Sequence, residues 1–455
     1  MQLPQAFIES IKHCKGFDQP AFEAIHQSGE TVTAVRLNSD KITAASFFID
    51  EEKSRIPWSS NGFYLKDRPS FTTDPLLHAG AYYVQDASSM FLEEAIKQTV
   101  DLSQPLRVLD LCAAPGGKST LLLSIINKES LLVSNEVIKT RANILSENIS
   151  KWGAANTIVT NNDPANFQRL QGYFDVMVVD APCSGSGLFR KDATAIDEWS
   201  EQNVMLCSQR QQRILADAIP ALKSGAVLIY STCSYSAAED EAIADWLTEE
   251  FEMENIRLHI NDQWGIVETV SQKQQAFGYR FYPDKVKGEG FFIAAFRKKG
   301  DGNSQYHNAK NKLEKLSKKE IEIAGTYLQT PDNFLLFKQN KTAIAFPQIF
   351  EDDLALIQQH LYIKKAGVKL GNIIREELIP EHELAISSII NKNIPSAEAD
   401  KGTALQYLRK QDVKLDAAHK GWMLISYQQQ PLGWVKVLQG RINNYYPKEW
   451  RILNK

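Results

Sequence analysis

Residues 107–120 read RVLDLCAAPGGKST, and this stretch decides the fold class. Its first five residues are typical of a short buried strand, and 118–126 predicts the helix that follows. The loop between them consists mainly of Ala, Pro and Gly, whose small side chains let a ligand approach the backbone closely. Because open α/β sheets bind ligands at the carboxyl ends of their strands, we expect a ligand site in this loop.

Strand and helix patterns continue to alternate after this loop. Helical spacing is found over 140–152 and within 197–222. Further strands are expected at 131–136, 157–160, 174–180, 226–230 and 291–296. This alternation predicts an α/β, Rossmann-like domain with a parallel sheet and helices on both faces.

A chain of 455 residues is too long for one core, so we expect several domains. A polar segment rich in Gly, Asn and Lys follows the last of these strands and predicts a linker. Beyond it come shorter strand-like segments and a hairpin-like stretch at 366–371. The predicted parts are an α+β N-terminal extension that helps to hold RNA (1–104), the Rossmann-like domain (105–298), a linker (299–307), an α+β connecting module (308–390) and a small β-rich C-terminal module (391–455).

Composition restricts the class of protein. Hydrophobic residues make up 43% and charged residues 23%, which argues against a mainly disordered chain. The apolar runs are far shorter than the roughly 20 residues that a membrane span needs, and the N-terminus predicts no secretory signal. An odd number of cysteines, five, indicates a reducing compartment. We therefore expect a soluble, cytoplasmic protein without a membrane partner.

Charge is unevenly distributed along the chain. The net charge is −4, but residues 301–455 carry 22 Lys and Arg against 17 Asp and Glu. The last 55 residues alone hold ten basic and three acidic side chains. A basic end on an acidic chain indicates a surface for a polyanion such as nucleic acid.

Two ligands compete for the loop at 112–118. A P-loop nucleotidase needs a glycine where this chain has Cys112, and Pro115 removes a backbone donor from the phosphate cradle. A nucleoside fits better, because Glu136 follows the second strand and is suited to accept hydrogen bonds from ribose hydroxyls. Asp163, after the third strand, is suited to accept from an exocyclic amine. We therefore expect a nucleoside-containing ligand.

Two cysteines follow the fourth and fifth strands. Cys183 and Cys233 each lie in a Ser-rich turn. Both turns are expected at the sheet edge that also carries the loop at 112–118, which we call the nucleoside loop. Lys118 and the turn amides are suited to lower a thiol pKa and so create a nucleophile. A redox pair is an alternative, and a metal site is not expected because no His cluster completes a ligand set. The residues alone do not tell which thiol attacks.

Several motifs together resemble a known family, the NOL1/NOP2/Sun RNA 5-methylcytosine methyltransferases. They are CAAPGGK at 112–118, DAPCSG at 180–185, STCS at 231–234, YYVQDASSM at 82–90 and GEGFF at 288–292. This resemblance extends over about 36–298. The tail, with GW at 433–434 and NNYYPK at 443–448, is similar to the PUA-like end of the bacterial RsmF branch, which modifies small-subunit ribosomal RNA.

The resemblance implies S-adenosyl-L-methionine as cofactor. It implies that Glu136 binds the ribose, Asp163 the adenine, and that Asp180 lies between cofactor and target base. Contacts to the methionine end are implied for Cys112, Ala113, Ala114, Pro115, Gly116, Gly117 and Lys118.

For catalysis, the resemblance implies Cys233 as the nucleophile that adds to cytosine C6, with Cys183 assisting product release. Asp180 and Lys118 are our candidates for stabilising charge on the pyrimidine. In one respect the sequence departs from the family, because Asp284 stands where many relatives have a histidine. This departure puts a phosphate or base contact at that position in doubt.

RNA, specifically small-subunit ribosomal RNA, is the expected partner; we expect no DNA, and a monomer. Trp434 and Tyr446 either stack on bases or fill a small β core. Phosphate contacts are expected from Arg409, Lys410, Arg441, Lys448 and Arg451. The alternatives are a transfer-RNA methyltransferase, a ribosome-assembly factor whose catalysis is dispensable, and the P-loop nucleotidase.

Overall fold

The computed structural model describes residues 3–47, 54–300, 313–415 and 419–453. These residues form four β-sheets. Most of the predicted linker at 299–307 lies outside the described residues. Among the helices that the structure describes, none is both long and apolar enough to cross a lipid bilayer.

The N-terminal extension is a small antiparallel sheet with helices around it. Its strands follow the order β2-β3-β1-β4, so the central strand β1 is paired on both sides and is completely buried. The elements are α1 (Gln5–Ile11), α2 (Gln19–Gln27), β1 (Thr33–Leu37), α3 (Ala44–Phe47), β2 (Ser54–Arg55), β3 (Gly62–Leu65), α4 (Pro75–His78), β4 (Tyr82–Val84) and α5 (Leu92–Thr99).

The central sheet is mostly parallel, and the predicted α/β fold is confirmed. Its order is β11-β12-β13-β9-β8-β5-β6-β7, with β10 beside β13. The elements are β5 (Arg107–Asp110), α6 (Gly117–Ile125), β6 (Leu131–Asn135), α7 (Lys139–Trp152), β7 (Thr157–Thr160), β8 (Phe174–Asp180), α8 (Thr194–Glu198), α9 (Glu201–Ala218), β9 (Leu222–Thr232), α10 (Glu241–Glu250), β10 (Glu254–Ile256), β11 (Val267–Val270), β12 (Phe277–Phe281) and β13 (Phe291–Arg297).

The central strands β5, β6, β7, β8 and β9 are parallel, and helices cover both faces of the sheet. Side chains on the two faces of these strands belong to two separate apolar cores, which explains their nearly continuous apolar sequences. The carboxyl ends of β5 and β6 are adjacent, and so are those of β8 and β9. All five strands therefore end at one edge, which holds the candidate site.

The connecting module contributes a five-stranded antiparallel sheet and one strand to the central sheet. The hairpin predicted at 366–371 is wrong, because β17 pairs with β7 of the central sheet whereas β18 pairs with β16 and β19. Gly367 separates the two strands with a positive φ of 56°. The elements are β14 (Glu314–Lys315), α11 (Lys318–Gly325), β15 (Phe334–Gln339), β16 (Thr342–Pro347), α12 (Glu351–His360), β17 (Ile363–Ala366), β18 (Val368–Ile374), β19 (Glu377–Pro380) and α13 (His382–Ala385).

The C-terminal module is a four-stranded sheet with one helix. Strand β20 runs parallel to β21, while β22 and β23 complete an antiparallel meander. The elements are β20 (Ser396–Glu398), α14 (Lys401–Leu408), β21 (Gly421–Tyr427), β22 (Gln430–Leu438) and β23 (Arg441–Asn444).

Candidate active site

The loop between β5 and α6 is held by hydrogen bonds from several elements. Gly116 precedes α6 with a φ of 116°, a conformation that favours glycine. Arg141 Nη2 donates to Ala114 O over 2.8 Å, and Asn148 Nδ2 donates to Pro115 O over 2.8 Å. Both donors lie on α7, so this helix fixes the loop.

Arg36, on strand β1 of the N-terminal extension, holds the first turns of α6. Its guanidinium is buried and donates to Thr120 Oγ1 over 2.6 Å and to Gly117 O over 3.3 Å. Gln85, from the motif at 82–90, accepts from Arg36 Nε over 2.9 Å. Arg36 was not predicted as a site residue from the sequence, although a lone arginine inside an apolar strand is an unusual feature.

Asp110 was also missed, although it belongs to the stretch that decides the fold. It is fully buried at the end of β5, and Ser119 Oγ donates to its Oδ2 over 2.6 Å. Burial raises the pKa of Asp110 to about 7, despite opposing effects of Ser119 and Lys118. Its Oδ1 has no hydrogen-bond partner in the described part of the chain. A buried carboxylate with one free oxygen fits a ligand that carries an ammonium group.

Glu136 and Asp163 lie at the ends of β6 and β7, as the strand order predicts. Glu136 is buried; its Oε1 accepts from Ile138 N over 2.9 Å, and Arg141 Nη1 lies 3.6 Å from Oε2. Asp163 is half-exposed and caps the 3₁₀ helix that follows it, accepting from Ala165 N over 3.0 Å. Capping therefore already gives Asp163 a local structural role.

Lys118 and Asp180 form an ion pair between the nucleoside loop at 112–118 and the end of β8. Lys118 Nζ lies 2.7 Å from Asp180 Oδ2, and Ser231 Oγ donates to Asp180 Oδ1 over 2.9 Å. The ring of Phe291, from the motif at 288–292, lies 5.2 Å from Lys118 Nζ. The pair thus lies between the nucleoside loop and the cysteine-bearing strand ends.

The thiols of Cys183 and Cys233 are in contact at the ends of β8 and β9. Their Sγ atoms are 3.1 Å apart, and both cysteines are reduced and half-buried. The hydrogen bond to Cys233 and burial raise the pKa of Cys183 well above its ordinary value. Cys183 therefore keeps its proton at neutral pH. Burial and the acidic neighbour Asp110 also raise the pKa of Cys112, which keeps that thiol protonated at neutral pH.

Glu239, which was not predicted as a site residue, joins the two cysteine turns. Ser184, next to Cys183, donates to this carboxylate from its N–H over 2.7 Å and from its Oγ over 2.6 Å. Ser234, next to Cys233, donates to the same carboxylate over 2.6 Å. Glu239 is fully buried, and burial raises its pKa. The sequence feature that points to Glu239 is the acidic run at 239–241, shortly after the second cysteine turn.

Asp284, the position that departs from the family, is half-buried, and only 5% of its side chain is exposed. Lys285 Nζ lies 3.3 Å from Asp284 Oδ2, while Oδ1 has no hydrogen-bond partner in the described ranges. The motif at 288–292 is instead linked to the motif at 82–90, because Glu289 N donates to Asp86 Oδ1 over 3.1 Å.

Trp434 and Tyr446 are core residues, so the stacking role considered for them is wrong. Both are 0% exposed, and Trp434 Nε1 donates to Glu381 O over 2.9 Å. Two neighbours are accessible instead: the rings of half-buried Trp422 and exposed Tyr445 pack edge to face with centroids 4.4 Å apart. We call this pair the aromatic pair.

Basic side chains lie around the aromatic pair. Lys436 Nζ lies 4.9 Å from the Trp422 ring, and Lys410 Nζ lies 5.9 Å from the Tyr445 ring. Glu377 is also present, accepting from Trp422 Nε1 over 3.0 Å and from Lys436 over 2.8 Å. Among the other predicted phosphate contacts, Arg441 and Lys448 are exposed, whereas Arg409 and Arg451 are half-buried.

Three family models match separate parts of the chain. Residues 97–297 match 16S rRNA methyltransferase RsmB/F, 3–87 match the N-terminal domain of 16S rRNA methyltransferase RsmF, and 395–452 match the Methyltransferase RsmF PUA domain. The match to the central domain contains the loop at 112–118 and both cysteine turns.

Relatives match over nearly the whole chain. Ribosomal RNA small subunit methyltransferase F of Aeromonas salmonicida is 30% identical over 444 residues, covering 91% of this chain and 90% of the relative. The protein of the same name from Escherichia coli O7:K1 is 30% identical over 441 residues, covering 91% and 89%.

Solved structures are similar to about two thirds of the chain. A methyltransferase homologue from Pyrococcus horikoshii has a TM-score of 0.53 at 25% identity, covering 65% of this chain and all of that one. NSun6 from Pyrococcus horikoshii, crystallised with SFG, has a TM-score of 0.54 at 18% identity and covers 66% and 99%. The chain belongs to the RsmF-like branch of the Sun family of S-adenosylmethionine-dependent methyltransferases.

Proposed function

We propose that this protein methylates carbon 5 of a cytosine in small-subunit ribosomal RNA through a covalent bond between Cys233 and cytosine C6. The observation that carries the proposal is the contact of the two thiols, 3.1 Å apart, beside the Lys118–Asp180 ion pair. A thiol pair next to a nucleoside loop suits addition to a pyrimidine and release from it. The names of the relatives support ribosomal RNA as the substrate.

The cofactor pocket is formed by residues at the ends of β5, β6 and β7. We assign its methionine end to the loop at 112–118 and the orphan carboxylate oxygen of Asp110, the ribose to Glu136, and the adenine to Asp163. The cofactor supplies an electrophilic methyl group when it is bound. Glu136 is already aligned by its backbone hydrogen bond, so little ordering is needed at this acid.

We assign the nucleophile to Cys233, the position that the family resemblance implies, and proton donation to Cys183, whose pKa is raised by its hydrogen bond to Cys233 and by burial. Addition of the Cys233 thiolate to C6 breaks the C5–C6 double bond and moves its electron pair toward C5, so that C5 becomes nucleophilic. After C5 has been methylated, a base removes the C5 proton, the double bond re-forms, and Cys233 leaves. A protonated Cys183 in contact with Cys233 is placed to return a proton to the departing sulfur.

Lys118 and Asp180 stabilise charge on the pyrimidine ring. Their ion pair is partly accessible, with 13% of the Lys118 and 34% of the Asp180 side chain exposed. Lys118 is suited to donate to O2, and Asp180 pairs with N3 by sharing a proton with it; both interactions are stronger where water is excluded. The target base must leave its stack to reach this edge.

RNA binding is assigned to the aromatic pair and the cations around it. An accessible Trp–Tyr pair flanked by two lysines suits single-stranded RNA, because every base has a face on which a ring stacks. The ten basic side chains in the last 55 residues supply attraction to the phosphate backbone.

The first experiment measures transfer of a labelled methyl group to three RNA substrates: naked 16S ribosomal RNA, assembled small subunits and transfer RNA. Nucleoside analysis should find the label as 5-methylcytidine in one of the two ribosomal substrates. Label confined to transfer RNA would contradict ribosomal RNA as the substrate and would leave the proposed reaction unchanged. No transfer to any RNA would favour the assembly factor, which functional complementation by a Cys233→Ala protein would then support.

A further inference from the structure

We propose that Tyr362, supplied by the connecting module, forms one wall of the pocket for the cofactor's adenosine end. This inference rests on the cofactor and not on the proposed RNA target. Tyr362 lies about two hundred residues after the other pocket residues in the sequence. It directly precedes β17, the strand that the connecting module adds to the central sheet.

The pairing of β17 with β7 brings Tyr362 to the end of β7. Ile363 lies opposite Thr160, and the pairing continues because Asn161 N donates to Tyr362 O over 3.3 Å. The Asn162 side chain holds the same backbone, donating to Tyr362 O over 3.0 Å and accepting from Tyr362 N over 2.9 Å. Asp163, the acid assigned to the adenine, is the next residue.

Register places the tyrosine ring on the side of the pocket. Residues directly opposite in an antiparallel pair direct their side chains to the same face. The Asn161 side chain, opposite Tyr362, donates to Glu136 O over 2.6 Å and to Val137 O over 3.0 Å. Tyr362 therefore faces the segment that begins with the ribose-binding acid.

An unusual group of exposed apolar side chains occurs here. Tyr362 is 64% exposed, Val137 is 54% exposed and Ile138 is 49% exposed. Val137 and Ile138 directly follow Glu136, and hydrogen bonds of Asn161 link their segment to Tyr362. Exposed apolar side chains on linked backbone segments beside acidic strand ends indicate a ligand site. The ligand that suits an aromatic ring and two aliphatic groups beside two carboxylates is a purine nucleoside.

Hydrogen bonds of two asparagine side chains link Tyr362 to the start of the nucleoside loop. Asn162 N donates to Asn135 Oδ1 over 3.0 Å, and Asn135 Nδ2 donates to Leu111 O over 3.2 Å. Both asparagines are buried. The connecting module is anchored independently, because Arg107 Nε and Nη2 donate to the two carboxylate oxygens of Asp353 over 3.0 Å each. Tyr362 is therefore held in place before the cofactor binds.

The test is calorimetric titration of the full chain with S-adenosylhomocysteine in the absence of RNA. Tyr362→Ala should raise Kd roughly fivefold or more, as expected for a lost base-stacking partner. Tyr362→Phe should keep the wild-type affinity, because the ring is retained. Ile374→Ala is the matched control: Ile374 is 52% exposed in the same module but lies on β18, and its loss should not change Kd. Unchanged affinity in Tyr362→Ala would overturn the proposal.

A second variant keeps the test decisive if the alanine protein folds poorly. Tyr362→Trp should bind S-adenosylhomocysteine and show a change in tryptophan emission beyond that of the wild-type protein. Emission changes identical to those of the wild type would mean that residue 362 does not contact the ligand. Wild-type protein that bound no S-adenosylhomocysteine would overturn the assignment of the whole pocket, and not only of its wall.

Discussion

The site has two parts that are stabilised in different ways. In the thiol part, formed by Cys183 and Cys233, one buried carboxylate from the same domain, Glu239, cross-links both turns. In the cofactor part, formed by the ends of β5, β6 and β7, α7 of the same domain is joined by supports from other parts of the chain. Arg36 comes from the N-terminal extension, and Tyr362 from the connecting module.

This difference indicates that nucleophile geometry is local, whereas cofactor binding depends on how the outer modules dock. Changes in the thiol part should therefore alter the rate of methyl transfer without altering cofactor affinity. Changes in the cofactor part should alter affinity first. Measuring the transfer rate and the Kd for S-adenosylhomocysteine on each variant separates the two parts.

The largest effect is expected from the nucleophile. Cys233→Ala should reduce methyl transfer by about a thousandfold or more and form no covalent RNA adduct, because no thiolate is left to add to C6. Its Kd for S-adenosylhomocysteine should equal that of the wild type. Cys183→Ala should instead accumulate an RNA–protein complex that survives denaturing electrophoresis. If Cys183→Ala fails to form adducts while Cys233→Ala accumulates them, the two roles are exchanged.

A smaller loss of rate is expected from Glu239→Gln. The amide introduces N–H donors opposite the donors of Ser184 and Ser234, so the two cysteine turns separate. We expect transfer to fall roughly ten- to a hundredfold, the cost of a small displacement of reacting groups. Cofactor affinity should be unchanged. A variant that lost rate through misfolding would lose cofactor affinity as well. Glu249→Gln, an exposed acid on α10, is the control. A parallel loss of cofactor affinity in Glu239→Gln would contradict local control of the thiol part.

Cofactor affinity should depend on pH through Asp110. Burial raises its pKa to about 7, so the free protein carries a protonated Asp110 at lower pH. A ligand ammonium group requires the carboxylate, so binding releases a proton. Affinity should weaken as pH falls below about 7, by at most about tenfold per pH unit, and stay constant above.

The control for this titration is Asp110→Asn, whose affinity should be lower and independent of pH in this range. The same raised pKa has an effect on the free protein. Because the unfolded carboxyl titrates near about 4, the folded state binds the extra proton, and stability falls as pH rises from about 4 to 7. A wild-type Kd that does not change between pH 6 and 8 would exclude contact between Asp110 and the ligand's ammonium group.

The sequence predicts those features of the molecule that follow from the order of strands. Cys183 and Cys233 lie at one edge because the strands before them are parallel, and a parallel sheet is what the alternation of elements predicts. The attachment of β17 to β7 was not predictable, because it joins segments about two hundred residues apart through backbone pairing. The burial of Trp434 also depends on register. The sequence around Trp434, Tyr445 and Tyr446 does not tell which of these rings face the core and which face water. Their orientation is set by the register of the sheet.

The smallest effect concerns a third quantity, RNA affinity, which should vary independently of both parts. Tyr445→Ser and Trp422→Ser should each weaken RNA binding roughly fivefold, since each removes a stacking surface. Transfer at saturating RNA and Kd for S-adenosylhomocysteine should stay unchanged, so that only KM for RNA rises. Lys436→Gln should reduce the dependence of RNA affinity on salt concentration, because one phosphate contact is lost. Ile374→Ala again serves as the control. If the aromatic variants lowered the transfer rate at saturating RNA, the pair would help to position the target base, and the rate would no longer be controlled by the thiol part alone.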